Sequence, residues 1–306
     1  MNALLYYFIV LPLSKLPLWF LYRIADILYF LLITILPYRK KVIAANLALA
    51  FPEKSATERQ QLQKAFYRHF ADILIESVKN LSISASELKR RMHVQNPSVL
   101  EAAQKASKPI LLVSAHYNNW EWLITAQALL FRGQHFGVGM PLSAAFWDQK
   151  LTQKRERFGL KVVHANTYQQ ALQTPNSVVL LLADQAPADP NKCLWLPFLN
   201  QDSPVIFGPE YIAHAYDCVV LYVHIDKLKR GYYQLRFEGI SNEVKTLPYQ
   251  SITKNHLHLL ELDIQKNPAN WLWSHKRWKR QKPANWPELA QALQQSFDQK
   301  FKTNAR

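Results

Sequence analysis

Glycine is scarce here, with 7 in 306 residues, and neither G-x-G-x-x-G nor G-x₄-G-K-[ST] occurs. A loop that cradles a nucleotide phosphate in either common form is therefore absent from the sequence. Cysteine is scarcer: Cys193 and Cys218 stand alone. Two such thiols make neither a disulfide framework nor a metal-ligand spacing, and they read as buried thiols of a reducing compartment. Acidic residues are outnumbered 22 to 37 by Lys and Arg, leaving a formal net charge of +15. That excess implies an anionic partner: a membrane, a nucleic acid or an acidic substrate. A basic n-region and a small-residue cleavage site are also missing, so the start does not read as a signal peptide.

Apolar side chains are plentiful, at 49% hydrophobic and 12% aromatic. From Leu4 to Leu36 the only charges are Lys15, Arg23 and Asp26. The stretch Leu16–Leu36 is about long enough to cross a hydrocarbon core of roughly 30 Å. Arg23 and Asp26, three apart, would then sit near its middle and pair on one face. A membrane-anchoring or interfacial helix is the expectation. Arg39, Lys40 and Lys41 follow at once, which places the rest of the chain on the cytoplasmic side. The expected organisation is thus 1–41 as anchor and basic turn, and 42–306 as one α/β domain.

Within that domain the sharpest segment is Leu111–Trp122, where an apolar run ends in His116 and Glu121 follows five positions on. Pro109–Ala115 reads as a buried strand. Asn118 or Asn119 is a suitable N-cap, which puts Glu121 in the first turn of a helix. On a continuous helix, residues five apart diverge by about 140°. His116 can therefore reach Glu121 only from the loop before the helix, where an imidazole with a carboxylate partner is an oriented general base. The bare H-x₄-[DE] spacing is weak, with roughly 0.7 matches expected by chance. His256/Glu261 and His258/Asp263 share it, but both lie in the leucine-rich helix expected at Ile252–Ile264.

Strand candidates are Ile110–Ala115, His135–Met140, Lys161–His164, Val178–Ala183, Val219–Ile225 and Tyr232–Glu238, the last resembling a solvated antiparallel edge. Helices are expected at Val42–Phe51, Thr57–Leu81, Asn119–Phe131, Ser143–Phe158, Tyr168–Gln173 and Gly208–Tyr216. The alternation predicts an α/β fold with a mixed, mostly parallel central sheet flanked by helices. Three further groups lie on it. Arg155 and Arg157, at a helix end, are guanidinium groups suited to phosphate. Asp184 and Gln185 follow an apolar strand, where such folds place ligands. Trp271, Trp273, Lys276, Arg277 and Trp278 interleave aromatics with cations, as at an anionic lipid interface or on stacked bases.

Together, Ser-Ala-His116-Tyr-Asn-Asn-Trp-Glu121, Ala183-Asp184-Gln185, Phe207-Gly208 and the Trp271–Lys279 run resemble the late acyltransferases of lipid A biosynthesis. Tyr38-Arg39, Asn46-Leu47 and Phe51-Pro52 also resemble that family, so the similarity runs from about residue 15 to 280 in order. The lauroyl and myristoyl acyltransferases of this group belong to the wider lysophospholipid acyltransferase superfamily. The resemblance implies a glycerol-3-phosphate acyltransferase-like fold, attachment to the bacterial inner membrane and a catalytic domain facing the cytoplasm. It also implies transfer of an acyl chain from acyl carrier protein to a hydroxyl of a lipid A precursor, without metal, cofactor or nucleic acid. The family's His-x₄-acid dyad carries over to His116 and Glu121, and its arginine to Arg157, with Arg155 the alternative. Tyr117-Asn118 departs from the phenylalanine-glycine often found there.

In that chemistry His116 takes the proton of the attacking alcohol and Glu121 orients the imidazole. N–H groups at the start of the Asn119 helix are candidates to hold the oxyanion. Another membrane lysolipid or glycolipid as acceptor would need the same dyad. A non-catalytic basic protein that binds membrane or nucleic acid is the reading from a different class.

Overall fold

The computed structural model describes residues 2–36 and 38–302. The N-terminal region is broken rather than continuous: α1 (Asn2–Leu5), a π-helical turn (Tyr6–Val10), α2 (Leu11–Lys15) and α3 (Leu18–Thr34). Pro17 forces the break, because the residue before a proline is pushed to extended geometry, and Leu16 has ψ 152°. Among the described residues, no helix is long and apolar enough to cross a membrane. The 17 residues of α3 span about 26 Å at the usual rise. Its Leu18, Leu21, Ala25 and Leu32 are buried, at helical spacing, while Trp19, Ile27 and Phe30 are exposed. Asp26 pairs with Arg230 and Arg68, so the expected Arg23/Asp26 pair is replaced by long-range ones.

Next come α4 (Lys40–Ala50), α5 (Ala56–Lys79), α6 (Ala85–Arg91), β1 (Met92–Val94) and α7 (Pro97–Lys105). A capping box between Ser55 and Glu58 starts α5, satisfying two of its end groups reciprocally. The α/β alternation then runs β2 (Ile110–Ser114), α8 (Trp120–Leu130), β3 (Gln134–Gly139), α9 (Ala145–Glu156), β4 (Lys161–His164), α10 (Gln169–Gln173) and β5 (Ser177–Leu182). It continues with β6 (Leu194–Phe198), β7 (Gln201–Val205), α11 (Gly208–Tyr216), β8 (Val219–Lys229), β9 (Tyr232–Ser241), α12 (Ser251–Lys266) and α13 (Trp286–Phe301).

The central sheet has seven strands in the order β1-β9-β8-β2-β5-β3-β4, and only the β8–β9 pairing is antiparallel. The mixed, mostly parallel sheet flanked by helices is as expected. β9 differs in one respect: short β1 covers it, so β1 and β4 are the edges. β6 and β7 form a separate hairpin that periodicity did not single out. Residues of β2 alternate between two cores: Ile110 and Leu112 face one, Leu111 and Val113 the other. Burial on both faces is why that strand reads as an unbroken apolar run.

One buried carboxylate links several of these parts. Glu76 of α5 accepts from Tyr22 (2.8 Å), Tyr233 (2.7 Å) and Asn119 Nδ2 (2.6 Å). Its own main-chain carbonyl accepts from the Trp122 indole at 3.1 Å.

Candidate active site

Two neighbouring parallel strands, β2 and β5, run in register from Ile110↔Val178 to Ser114↔Leu182. The chain keeps that alignment one step further, with the Ala183 N–H donating to the Ser114 carbonyl at 3.0 Å. Residues two past each strand end therefore leave the same sheet edge side by side. They are His116 and Asp184. The His116 Nδ1–H donates to Asp184 Oδ1 at 2.7 Å, and Asp184 Oδ2 accepts from the Trp271 indole at 2.8 Å. On the other side of the ring, Gln185 Nε2 lies 3.2 Å from His116 Nε2. With the ring proton on Nδ1, Nε2 carries the lone pair and accepts from the Gln185 amide, the tautomer a proton acceptor requires. Burial alone would raise the Asp184 carboxyl; the His116 charge and hydrogen bonds outweigh it, with help from Trp271, and lower it to about 2.

Glu121 is elsewhere. It is buried on the first turn of α8, but its carboxylate faces α9. Lys154 Nζ is 2.8 Å from Oε2, and the Arg155 guanidinium grips the same group. Burial pushes this carboxyl up, yet the Lys154 and Arg155 charges hold it at about 2. The direct imidazole–Glu121 contact expected from the spacing is therefore not made. The reason is local: Asn118 turns left-handed (φ 50°) and Asn119 caps the helix through Trp122 N–H at 2.9 Å, which aims residue 121 away from the sheet edge.

The two arginines also separate. Arg155 lines the cleft beside His116. Arg157 instead donates to the carbonyls of Leu81 and Ile83 and lies over the Phe158 ring at 4.2 Å. It ties down the chain after α5, so Arg155 is the guanidinium at the site.

The aromatic-basic segment is a second correction. It does not present its aromatics and cations together at the surface, for Trp271, Trp273 and Arg277 are buried at 2%, 0% and 1% exposure. Each finds an internal partner, as buried polar tips must. Trp273 donates to the Pro268 carbonyl, Arg277 to that of Pro204, and Trp278 to Ser203 Oγ. Only Lys276 and Lys279 are left exposed. Backbone contacts explain the order: Tyr117 bridges Trp271 in antiparallel fashion, and Leu272 N–H donates to the His116 carbonyl at 3.1 Å. The segment thus walls the His116 loop. His275, whose pairing nothing in the sequence suggested, accepts from the Ala186 N–H at 3.1 Å and so pins the Asp184–Ala186 turn. Burial lowers its pKa to about 4, with the charges of Lys279, Arg277 and His116 adding to that effect against Asp184.

The other two histidine-acid spacings lie on α12 and diverge. His256 is fully buried, with burial lowering its pKa to about 4, while Glu261 accepts from the Leu199 N–H. Asp263 pairs with His224, not His258.

From His116 a cleft of about 480 Å³ runs along the carboxyl ends of the strands, over β5 and β3 and under α8 and α9. Its polar groups, His116, Gln185 and Arg155, stand beside walls of Ile124, Leu151, Val162 and Leu180. An imidazole base, a carboxylate behind it, a guanidinium and an apolar trough suit acid–base chemistry on an amphipathic substrate. Among the described residues no group of three or more His, Cys, Asp or Glu could hold a metal ion.

A family model described as bacterial lipid A biosynthesis acyltransferase matches residues 1–280. No curated protein matches the chain.

Proposed function

Because the chain belongs to the bacterial lipid A biosynthesis acyltransferase family, and is thereby an acyltransferase of lipid A synthesis, we propose that its donor is acyl-acyl carrier protein. Its acceptor is a hydroxyl of a phosphorylated lipid A precursor. The observation that carries this reading is the His116–Asp184 pair at the head of an apolar cleft.

The acceptor hydroxyl displaces Gln185 from His116 Nε2 and gives its proton there as its oxygen attacks the thioester carbonyl. Asp184 keeps the other ring proton on Nδ1 and offsets the imidazolium charge. First-turn N–H groups of α8, at the positive end of its dipole, meet the oxyanion. The tetrahedral carbon then collapses: the C–S bond breaks, the thiolate takes the proton back from His116, and an ester remains. The acyl tail lies in the cleft. Glu121 acts one step removed, holding Arg155 where it can meet a phosphate of either substrate.

Attachment to the cytoplasmic face of the inner membrane fits the same reading. The exposed side chains of the first helices include Phe8 at 74%, Trp19 at 69% and Ile27 at 61%, a surface poorly suited to water. A net charge of +15 adds attraction to anionic lipid. The α3 length and its internal Asp26 suit a helix lying in the interface better than one crossing it.

The test is direct. Purified protein in detergent, given acyl-acyl carrier protein and a phosphorylated lipid A precursor, should add the mass of an acyl group to the lipid. His116→Ala should abolish the gain. Equal transfer to an acceptor without phosphates would overturn the assignment of acceptor.

A further inference from the structure

Strand β3 carries two glycines at alternate positions, Gly137 and Gly139, which share one face of the sheet. Glycine inside a strand weakens it, through lost chain entropy and lost packing, and often marks a place where a ligand comes close. Nothing in the backbone asks for glycine at either site, since neither has a positive φ. Both line the cleft that begins at His116.

Their surroundings differ. A Cβ at Gly139 would meet no atom within 4 Å, so this face opens onto empty space. One at Gly137 would touch Leu160 Cδ2 at 3.6 Å and Ile124 Cγ2 at 3.9 Å, ordinary contact distances. Gly137 therefore stands at a wall of the trough, between α8 and the start of β4, while Gly139 stands over its open part. Side chains at these two points would occupy the cleft without displacing the core.

Resting on the acyl transfer argued above, we propose that Gly137 and Gly139 set the length of acyl chain this enzyme accepts, by leaving their side of the cleft bare. A longer tail must pass over or end against these positions, whereas a short one need not reach them. Residues that decide how many methylenes fit are worth about 1–3 kcal/mol per group, or roughly 10–200-fold in specificity.

The experiment compares kcat/KM for dodecanoyl- and hexanoyl-acyl carrier protein in wild type, Gly139→Val and Gly137→Val. Valine suits a strand, so the change is mainly one of volume. The dodecanoyl-to-hexanoyl ratio should fall at least about tenfold in each valine variant, whatever the absolute rates. Gly139→Ala, which meets nothing, should shift it in the same direction by less, and carries the test if a valine variant fails to fold. Ratios equal to wild type, with both donors slowed together or neither slowed, would overturn the proposal. Wild-type protein inert toward both donors would instead remove the acyl-transfer reading on which it rests.

Discussion

His116 and Asp184 are joined because each stands two residues beyond a position of the same cross-strand pair, Ser114 and Leu182, on parallel neighbours. Their 2.7 Å contact is a product of sheet register, across 68 residues of chain, rather than of local spacing.

Removing the base or its orienting carboxylate should act on turnover. His116→Ala and Asp184→Asn are expected to lower kcat by at least about a hundredfold. In Asp184→Asn the protein should remain folded, and steady-state kinetics at saturating donor would check the loss. An Asp184→Asn enzyme within threefold of wild type would refute its part in orienting the imidazole.

Glu121 predicts a different outcome. Glu121→Ala leaves the Lys154 ammonium buried and unpaired, a change that costs about 3–5 kcal/mol. The melting temperature should drop sharply. Adding Lys154→Met to Glu121→Ala should restore part of it, because the stranded charge is gone. Calorimetry of the single and double variants decides the matter, and no recovery would count against the pairing.

Trp271→Phe removes the second donor to Asp184 while keeping an aromatic ring. An unsatisfied buried acceptor costs about 1–3 kcal/mol. Loss should appear both in stability and, through a less firmly held Asp184, as a several-fold fall in kcat with little change in KM.

Stability should fall with pH in two stages. His256 and His275 bind protons in the unfolded chain below about 6.5 but in the fold only near 4. Their contribution is complete above pH 6.5 and is lost as pH falls from there to about 4. For buried His256 this amounts to roughly 3 kcal/mol. Asp184 and Glu121, lowered to about 2, contribute above their ordinary range near 4 and lose it between about 4 and 2. Urea unfolding at a series of pH values would trace both stages; a flat profile from pH 6.5 to 4 would contradict the first.

Attachment to lipid should depend on the first helices rather than on Trp271–Trp278. Phe8→Ser with Trp19→Ser and Phe30→Ser, all on exposed positions, should weaken co-flotation with anionic vesicles at least about tenfold. Lys276→Ala with Lys279→Ala should matter mainly at low salt. Unchanged flotation of the triple variant would end this reading.

Most of the α/β alternation was legible because buried parallel strands and amphipathic helices write different periods into the chain. The candidate site was legible at His116, Asp184 and Gln185, each just past an apolar strand. Which carboxylate met the imidazole was not. Glu121 is near in sequence, but helix geometry turns it to α9, whereas Asp184 arrives through a strand register that no local spacing encodes. The Trp271–Trp278 run misled for a related reason. Its aromatics and cations look alike whether they meet lipid headgroups or internal carbonyls, and only packing against the His116 loop decides.

Glu76 gives the first helices a meaning beyond attachment. Tyr22 of α3 and Asn119, the cap of the helix that opens the site, share that one carboxylate. Under the membrane attachment proposed above, a lateral push on α3 would reach the turn that follows His116 through those two hydrogen bonds. A shortened chain freed of its greasy start would lose the Tyr22 hydroxyl, leave the Leu21 and Ala25 side of α5 bare, and take one of three donors from the carboxylate that also holds Asn119. The most exposed apolar segment of the chain is thus hydrogen-bonded, through one buried carboxylate, to the helix cap three residues past His116.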